Sequence, residues 1–272
     1  MPLGQFGIWR SHQEGLGPVP EIEALGFGAL WVGGSHSLAE ARACLDATST
    51  LTVATGILNV WRHEPADVAA GHADLRRTFG ERFLLGVGIG HPEATSEYKT
   101  PLTKMSEFLD GLDQAEPPVP RDQRVVAALG PKMLDLAAAR SLGAHPYFTT
   151  TEHTRFARER MGPDALIAPE VAVVVDPEPG SAREIARAYA ARSLRLTNYA
   201  DNLRRFGYSD QDLADGGSDR LIDAVIPHGS PEAIAEAVQA HLDAGADHVC
   251  LQPVGHGREP LDDYRALAAA LL

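Results

Sequence analysis

Short runs of branched apolar residues alternate with amphipathic helical patterns along nearly the whole chain, and no other feature narrows the fold as much. Extended runs are read at 5–10 (QFGIWR), 29–34 (ALWVGG), 51–60 (LTVATGILNV), 82–90 (RFLLGVGIG), 124–129 (RVVAAL), 145–150 (HPYFTT), 169–176 (PEVAVVVD) and 248–254 (HVCLQPV). Helical patterns lie between them, most clearly at 21–26, 38–47, 66–79, 131–143 and 231–245, and LDDYRALAAALL ends the sequence. Strands rich in Val, Leu and Ile that alternate with helices imply a parallel sheet covered on both faces. Eight such units in 272 residues fit a (β/α)8 TIM barrel, with a doubly wound open sheet as the rival. The segment 177–230 is too long for one crossover helix and predicts two or three helices between strands seven and eight.

Local signals agree with this frame. Ser37 with Glu40 and Ser181 with Glu184 have capping-box spacing. Ser230-Pro231 sets a cap residue before proline at the first helical position. Gly26, Gly80, Gly143, Gly207 and Gly245 follow helix ends. No linker or low-complexity run divides the chain, so 1–272 reads as one domain, with Pro117-Pro118-Val119-Pro120 a stiff loop.

Charge and cysteine usage exclude whole classes. A formal net charge of −13 disfavours nucleic acid and anionic membrane as partners. No run reaches the ~18 apolar residues of a membrane span, and the N-terminus lacks a basic start before an apolar run. Cys44 and Cys250 are too few for a disulfide framework or a Cys-rich zinc site, which fits a reducing cytoplasm. Lys99, Lys104 and Lys132 are the only lysines and none falls on a strand, so Schiff-base chemistry is poorly served. His91 and Glu93 make H-x-E, but the P-C-x-x-C of zinc deaminases is absent, as are H-E-x-x-H and G-x-S-x-G. No metal site is expected.

The run FLLGVGIGHPE, 83–93, carries glycine at every second position. Its glycines do not make a dinucleotide fingerprint: the third glycine is replaced by His91 in one register and by Glu93 in the other. With period two, Gly86, Gly88 and Gly90 share one face, and Val87 and Ile89 the other. If the glycine face points inward it opens room near the C-terminal mouth of a barrel, where a flat ring could rest and His91 would arrive; it could equally only relieve crowding in the interior.

At these residues, and at ALWVGG, VATGILNVW, MSEFLDGLD, LGPKMLDLAAARSLGAHPYFTTTEHT and HGSPEAIAEAVQAHLDAGADHVCLQ, the sequence resembles the luciferase-like monooxygenase superfamily, in particular its members dependent on the deazaflavin coenzyme F420. The resemblance implies a bacterial-luciferase-like TIM barrel with a flavin or F420 ring at its mouth. It implies a non-proline cis peptide at Gly56–Ile57 beneath the ring, with Asn59 reaching the ring's polar edge and Gly88 and Gly90 in the cofactor wall. Thr150, Thr151, His153 and Thr154, at a helix start, would meet the cofactor phosphate, although the family commonly has proline where Thr151 stands; Leu129 and Gly130 would close that wall. His36 stands where relatives often carry an Asp-His pair, here Ser35-His36, and with His91 it would handle protons. Trp9, Trp61 and Glu93 would line the substrate pocket. The activity implied is hydride transfer between F420 and a small organic substrate. The alternatives are an FMN-dependent monooxygenase fed by a partner flavin reductase, and a cofactor-binding barrel without catalysis. Relatives often dimerise through helices two and three, so a homodimer is expected.

Overall fold

A computed structural model describes residues 3–15, 17–34, 37–94, 100–255 and 259–272. Its strands are β1 (Phe6–Ser11), β2 (Ala29–Gly33), β3 (Thr52–Thr55), β4 (Leu58–Asn59), β5 (Phe83–Gly88), β6 (Arg124–Val126), β7 (Gly143–Ala144), β8 (Leu166–Ile167), β9 (Glu170–Val175), β10 (His228–Gly229) and β11 (Val249–Pro253). Its helices are α1 (Val19–Ala24), α2 (Ala39–Asp46), α3 (Pro65–Phe79), α4 (Pro101–Gln114), α5 (Pro131–Arg140), α6 (Thr151–Met161), α7 (Pro179–Ser193), α8 (Thr197–Arg205), α9 (Asp210–Leu213), α10 (Asp219–Val225), α11 (Pro231–Asp243) and α12 (Leu261–Leu271).

Every strand pairing is parallel, and the order runs β11-β1-β2-β3-β5-β6-β7-β8. The extended stretch 166–175 closes this path into a ring. Its start pairs with β7 (Gly143 with Leu166), and Glu170 N donates to Pro146 O at 2.8 Å. Its other edge pairs with β11, Cys250 with Glu170 through Pro253 with Val173. The β8 and β9 segments are therefore one barrel stave, as are β3 and β4, and eight staves make the TIM barrel. Beyond β7, where that partner has ended, β10 covers the free edge of β9 at Val174 and Val175.

The two faces of each strand explain the apolar runs. Ile8, Leu30, Val53, Leu85, Val126, Val171 and Leu251 pack outward under the helices in one continuous core. Each such fully buried side chain contributes roughly 1.5–3 kcal/mol. Trp9, Trp31, Ala54, Leu84, Val125, Ala168 and Cys250 fill the barrel interior. Strands buried on both sides must read as unbroken hydrophobic runs rather than as alternating ones.

Five expectations are corrected. The sixth strand is Gly143–Ala144 rather than 145–150, because after His145 and Pro146 the chain turns away through Phe148 at φ 55°. Gly143 is consequently in a strand and does not follow a helix end. The run 51–60 is split at Gly56–Ile57. The segment 177–230 holds four helices, α7 to α10, and a short strand rather than two or three helices. The helix assigned to Ser181 begins earlier, at Pro179; Ser181 instead bonds back to Asp176. The Ser230 cap is present, accepting from Ala233 N with Pro231 first in the helix. No helix among the described residues is long and apolar enough to cross a membrane.

Candidate active site

The C-terminal ends of the staves surround a cleft of about 970 Å³, roofed on one side by α7 and α8. That volume is at the upper end of the roughly 300–1,000 Å³ range of ligand pockets. Its floor is built by Trp9, Gly56 and Ile57. The Gly56–Ile57 peptide is cis, and Trp9 Nε1 donates to the Gly56 carbonyl oxygen at 3.1 Å. Gly33 leaves the space Trp9 occupies: a Cβ there would lie 1.8 Å from the indole ring.

The glycine strand has a definite role in this floor. Leu84, on the same face as Gly86 and Gly88, is in the barrel interior, so the glycine face points inward. It is not bare. A Cβ on Gly86 would lie 1.9 Å from the Thr55 carbonyl oxygen. Thr55 Oγ1 donates to Gly86 O at 2.7 Å and accepts from Gly86 N at 2.8 Å. These two bonds take over the β3–β5 ladder where the backbone of β3 turns aside. A Cβ on Gly88 would lie 2.6 Å from Ile57 Cδ1. Gly86 and Gly88 thus accommodate the Thr55–Ile57 bend, and Ile57 is the surface that reaches the cleft.

The candidate residues divide. Trp9, Gly56, Ile57, Gly90, His91, Leu129 and Gly130 come together around the cleft. His91 stands against Tyr199, ring centroids 4.6 Å apart; burial lowers its pKa, so the imidazole is neutral near pH 7, and its Nδ1 has no partner among the described residues. Asn59, Gly88, Trp61 and Glu93 do not line the cleft. Asn59 Oδ1 accepts from Trp61 N, and Trp61 Nε1 donates to Ile89 O, sealing β4 to β5. Glu93 accepts from Thr197 N and Oγ1, clasping the start of α8.

The threonine cluster is likewise away from the cleft. Thr150 caps α6, accepting from His153 N, and Thr151 is the first residue of that helix. Thr154 Oγ1 is bonded to His241 Nδ1. His153 Nε2 donates to Leu129 O at 3.0 Å, and burial holds this histidine neutral with a pKa of about 4. His36 lies outside the described residues.

Several cleft residues carry no signal that the motifs captured. Arg192 on α7 and Arg205 on α8 both line it, and neither forms an ion pair among the described residues. Tyr189 and Arg192 are one helical turn apart, so both arrive on the same face of α7. His145 and Tyr147 follow β7 with period two; His145 stacks on Trp31 at 4.2 Å, and its Nε2 has no partner among the described residues. Gln252 is the single polar residue in the buried run of β11, and that position could have flagged it. Beneath the site, Glu170 is buried with its carboxyl pushed up to about 8 by desolvation, so it is largely protonated at neutral pH.

Among proteins of known family and structure, a family model described as luciferase-like monooxygenase matches residues 16–248. No curated protein matches the sequence. An F420-dependent secondary alcohol dehydrogenase in complex with an F420-acetone adduct is 18% identical, with a TM-score of 0.77 over 100% of this chain and 98% of that one. The coenzyme F420 dependent tetrahydromethanopterin reductase from Methanopyrus kandleri is 16% identical, with a TM-score of 0.77 over 98% of both chains. The oxygenating constituent of 3,6-diketocamphane monooxygenase from Pseudomonas putida, in complex with FMN, is 14% identical, with a TM-score of 0.72 over 98% of both.

Proposed function

The chain belongs to the luciferase-like monooxygenase family, and from that premise we propose that it is an oxidoreductase moving a hydride between coenzyme F420 and a small organic substrate. The observation that carries this reading is the cleft floor, where Trp9 and the cis Gly56–Ile57 peptide form an apolar platform at the barrel mouth.

The residues present fit such a cofactor. The cleft is large enough for a tricyclic ring and a second small molecule. Gly56 and Ile57 would support the ring, and Leu129 and Gly130 would flank it. Arg192 and Arg205, without carboxylate partners among the described residues, would hold the phosphate, taking the place expected of the threonines. His145 Nε2 and His91 Nδ1 have no partner among the described residues, and both side chains line the cleft. When bound, the deazaflavin would donate or accept the hydride. The chain's own part is to exclude water, orient the substrate and hold a proton. The neutral imidazole of His91, which lines the cleft, can take a proton and release it again. His36, from its place in the sequence, is proposed as a second proton-handling group.

FMN is the competing cofactor, favoured by the like fold of the FMN-bound camphane oxygenase component; that reading would add a partner flavin reductase. A fluorescence titration of the purified protein with F420 and, separately, with FMN tests the choice. Micromolar F420 binding with much weaker FMN binding is the expected result. The reverse would move the assignment to a flavin monooxygenase, and binding of neither would leave a barrel that has lost its cofactor.

A further inference from the structure

We propose that Tyr147, Tyr189 and Gln252 form a subsite for a hydroxyl or carbonyl oxygen of the substrate, which makes the substrate class a small apolar alcohol or its ketone or aldehyde. This deepens the oxidoreductase reading above and rests on it.

The three side chains come from separate elements: the loop after β7, helix α7 and strand β11. They meet at the cleft, and all three line it. The two phenolic oxygens are 2.6 Å apart, and Gln252 Oε1 is 2.9 Å from Tyr147 OH and 3.0 Å from Tyr189 OH. With the amide oxygen facing the phenols, three oxygens share only two hydroxyl protons. The shortest edge must hold one of them, so one phenol donates to the other and the second donates to Gln252. Both hydroxyl protons are then used inside the cluster, and a ligand hydroxyl would donate to one of its free lone pairs. With the amide turned over, its two N–H groups bond both phenols, and one phenolic O–H is released for a ligand acceptor. One orientation thus leaves acceptor lone pairs for a ligand donor, and the other leaves a phenolic O–H for a ligand acceptor. The complement that suits both arrangements is an oxygen that is a hydroxyl in one redox state and a carbonyl in the other.

The surroundings fit this assignment. Tyr147 is held between Trp9, at 5.3 Å, and Tyr199, at 5.8 Å, so its hydroxyl is fixed in direction. Trp9 is the residue that bonds the Gly56 carbonyl, so the cluster is one aromatic ring away from the platform proposed for the cofactor. Burial raises the pKa of both phenols well above the ordinary value, keeping them protonated donors throughout the working range.

The test compares 1-phenylethanol and acetophenone with ethylbenzene, their oxygen-free match, by ligand-detected NMR titration of the wild type, Tyr189→Phe and Gln252→Leu. The alcohol and ketone should bind the wild type more tightly than ethylbenzene. Each substitution should weaken both oxygenated probes about fivefold to tenfold, the loss of one neutral hydrogen bond, and leave ethylbenzene unchanged. Wild-type protein that binds the alcohol and ketone no better than ethylbenzene overturns the proposal without any variant. Equal losses for all three probes, or none, would also overturn it, by showing that the cluster only pins α7 to the barrel. The F420 and FMN titrations on the same samples keep the two readings apart. Loss of cofactor binding in the wild type removes the oxidoreductase reading, whereas intact cofactor binding with indifferent probes removes only this subsite.

Discussion

Gly86 and Gly88 look alike in sequence and meet different obstacles in the fold. At Gly86 the obstacle to a methyl group is a backbone carbonyl 1.9 Å away, fixed by the Thr55 hydroxyl. At Gly88 it is the end of the Ile57 side chain at 2.6 Å, which can rotate. Gly88→Ala should therefore cost about 1–3 kcal/mol, as overpacked positions do. Gly86→Ala should cost more, because strand β5 itself must shift. Urea unfolding midpoints of the two variants check this ranking, and a milder effect at Gly86 would contradict the role given to Thr55. Gly88→Ala should also weaken cofactor binding, since Ile57 would be pushed into the cleft.

The inserted helices α7 and α8 decide what enters the site. They bring Tyr189, Arg192, Tyr199 and Arg205 to the cleft, and the loop after β5 holds them through Glu93 to Thr197 and Asn198 Nδ2 to Gly90 O at 3.2 Å. Among the described residues, thirteen arginines of this acidic chain form ion pairs with carboxylates, while the two facing the cleft form none. Arg192→Ala and Arg205→Ala should each weaken binding of the phosphate-bearing cofactor about tenfold or more, the usual strength of a charge-assisted contact. The effect should shrink with added salt. Unchanged affinity in both variants would return the phosphate to the α6 threonines.

Over the whole molecule, protonation sets a stability optimum. Burial holds His72, His145, His153, His241 and His248 at pKa values of about 4. Their unfolded value is higher, about 6.5, so the unfolded chain binds more protons in that interval. Their contribution is complete above pH 6.5 and is lost as pH falls toward 4, at up to about 1.4 kcal/mol per pH unit for each histidine. Glu170 acts with the opposite sign. Its folded pKa of about 8 lies above the unfolded carboxyl value, so unfolding releases a proton and stability declines as pH rises from about 4.5 to 8. Melting temperature should therefore peak near pH 6.5 and fall steeply on acidification. Glu170→Gln should remove the decline on the alkaline side. A flat profile between pH 6.5 and 4.5 would show that these histidines are not held neutral by the fold.

The parallel α/β architecture and a multi-helix insertion between strands seven and eight were legible in the chain, because strands buried on two faces and helices buried on one leave distinct apolar periods. Period-two alternation also placed His91 at a strand end, whereas Gly56 and Ile57 were expected only from the family resemblance. The threonines could not be judged: a helix start shows which hydroxyls cap, but not whether its end opens on a cavity or is enclosed, as at Thr154 with His241. Nor could Tyr147, Tyr189 and Gln252 be joined, being up to 105 residues apart along the chain. Periodicity is a property of neighbours in sequence, and it records which way a side chain faces. Which distant side chains then share one hydrogen bond depends on closing the ring of staves, and that only the tertiary structure decides.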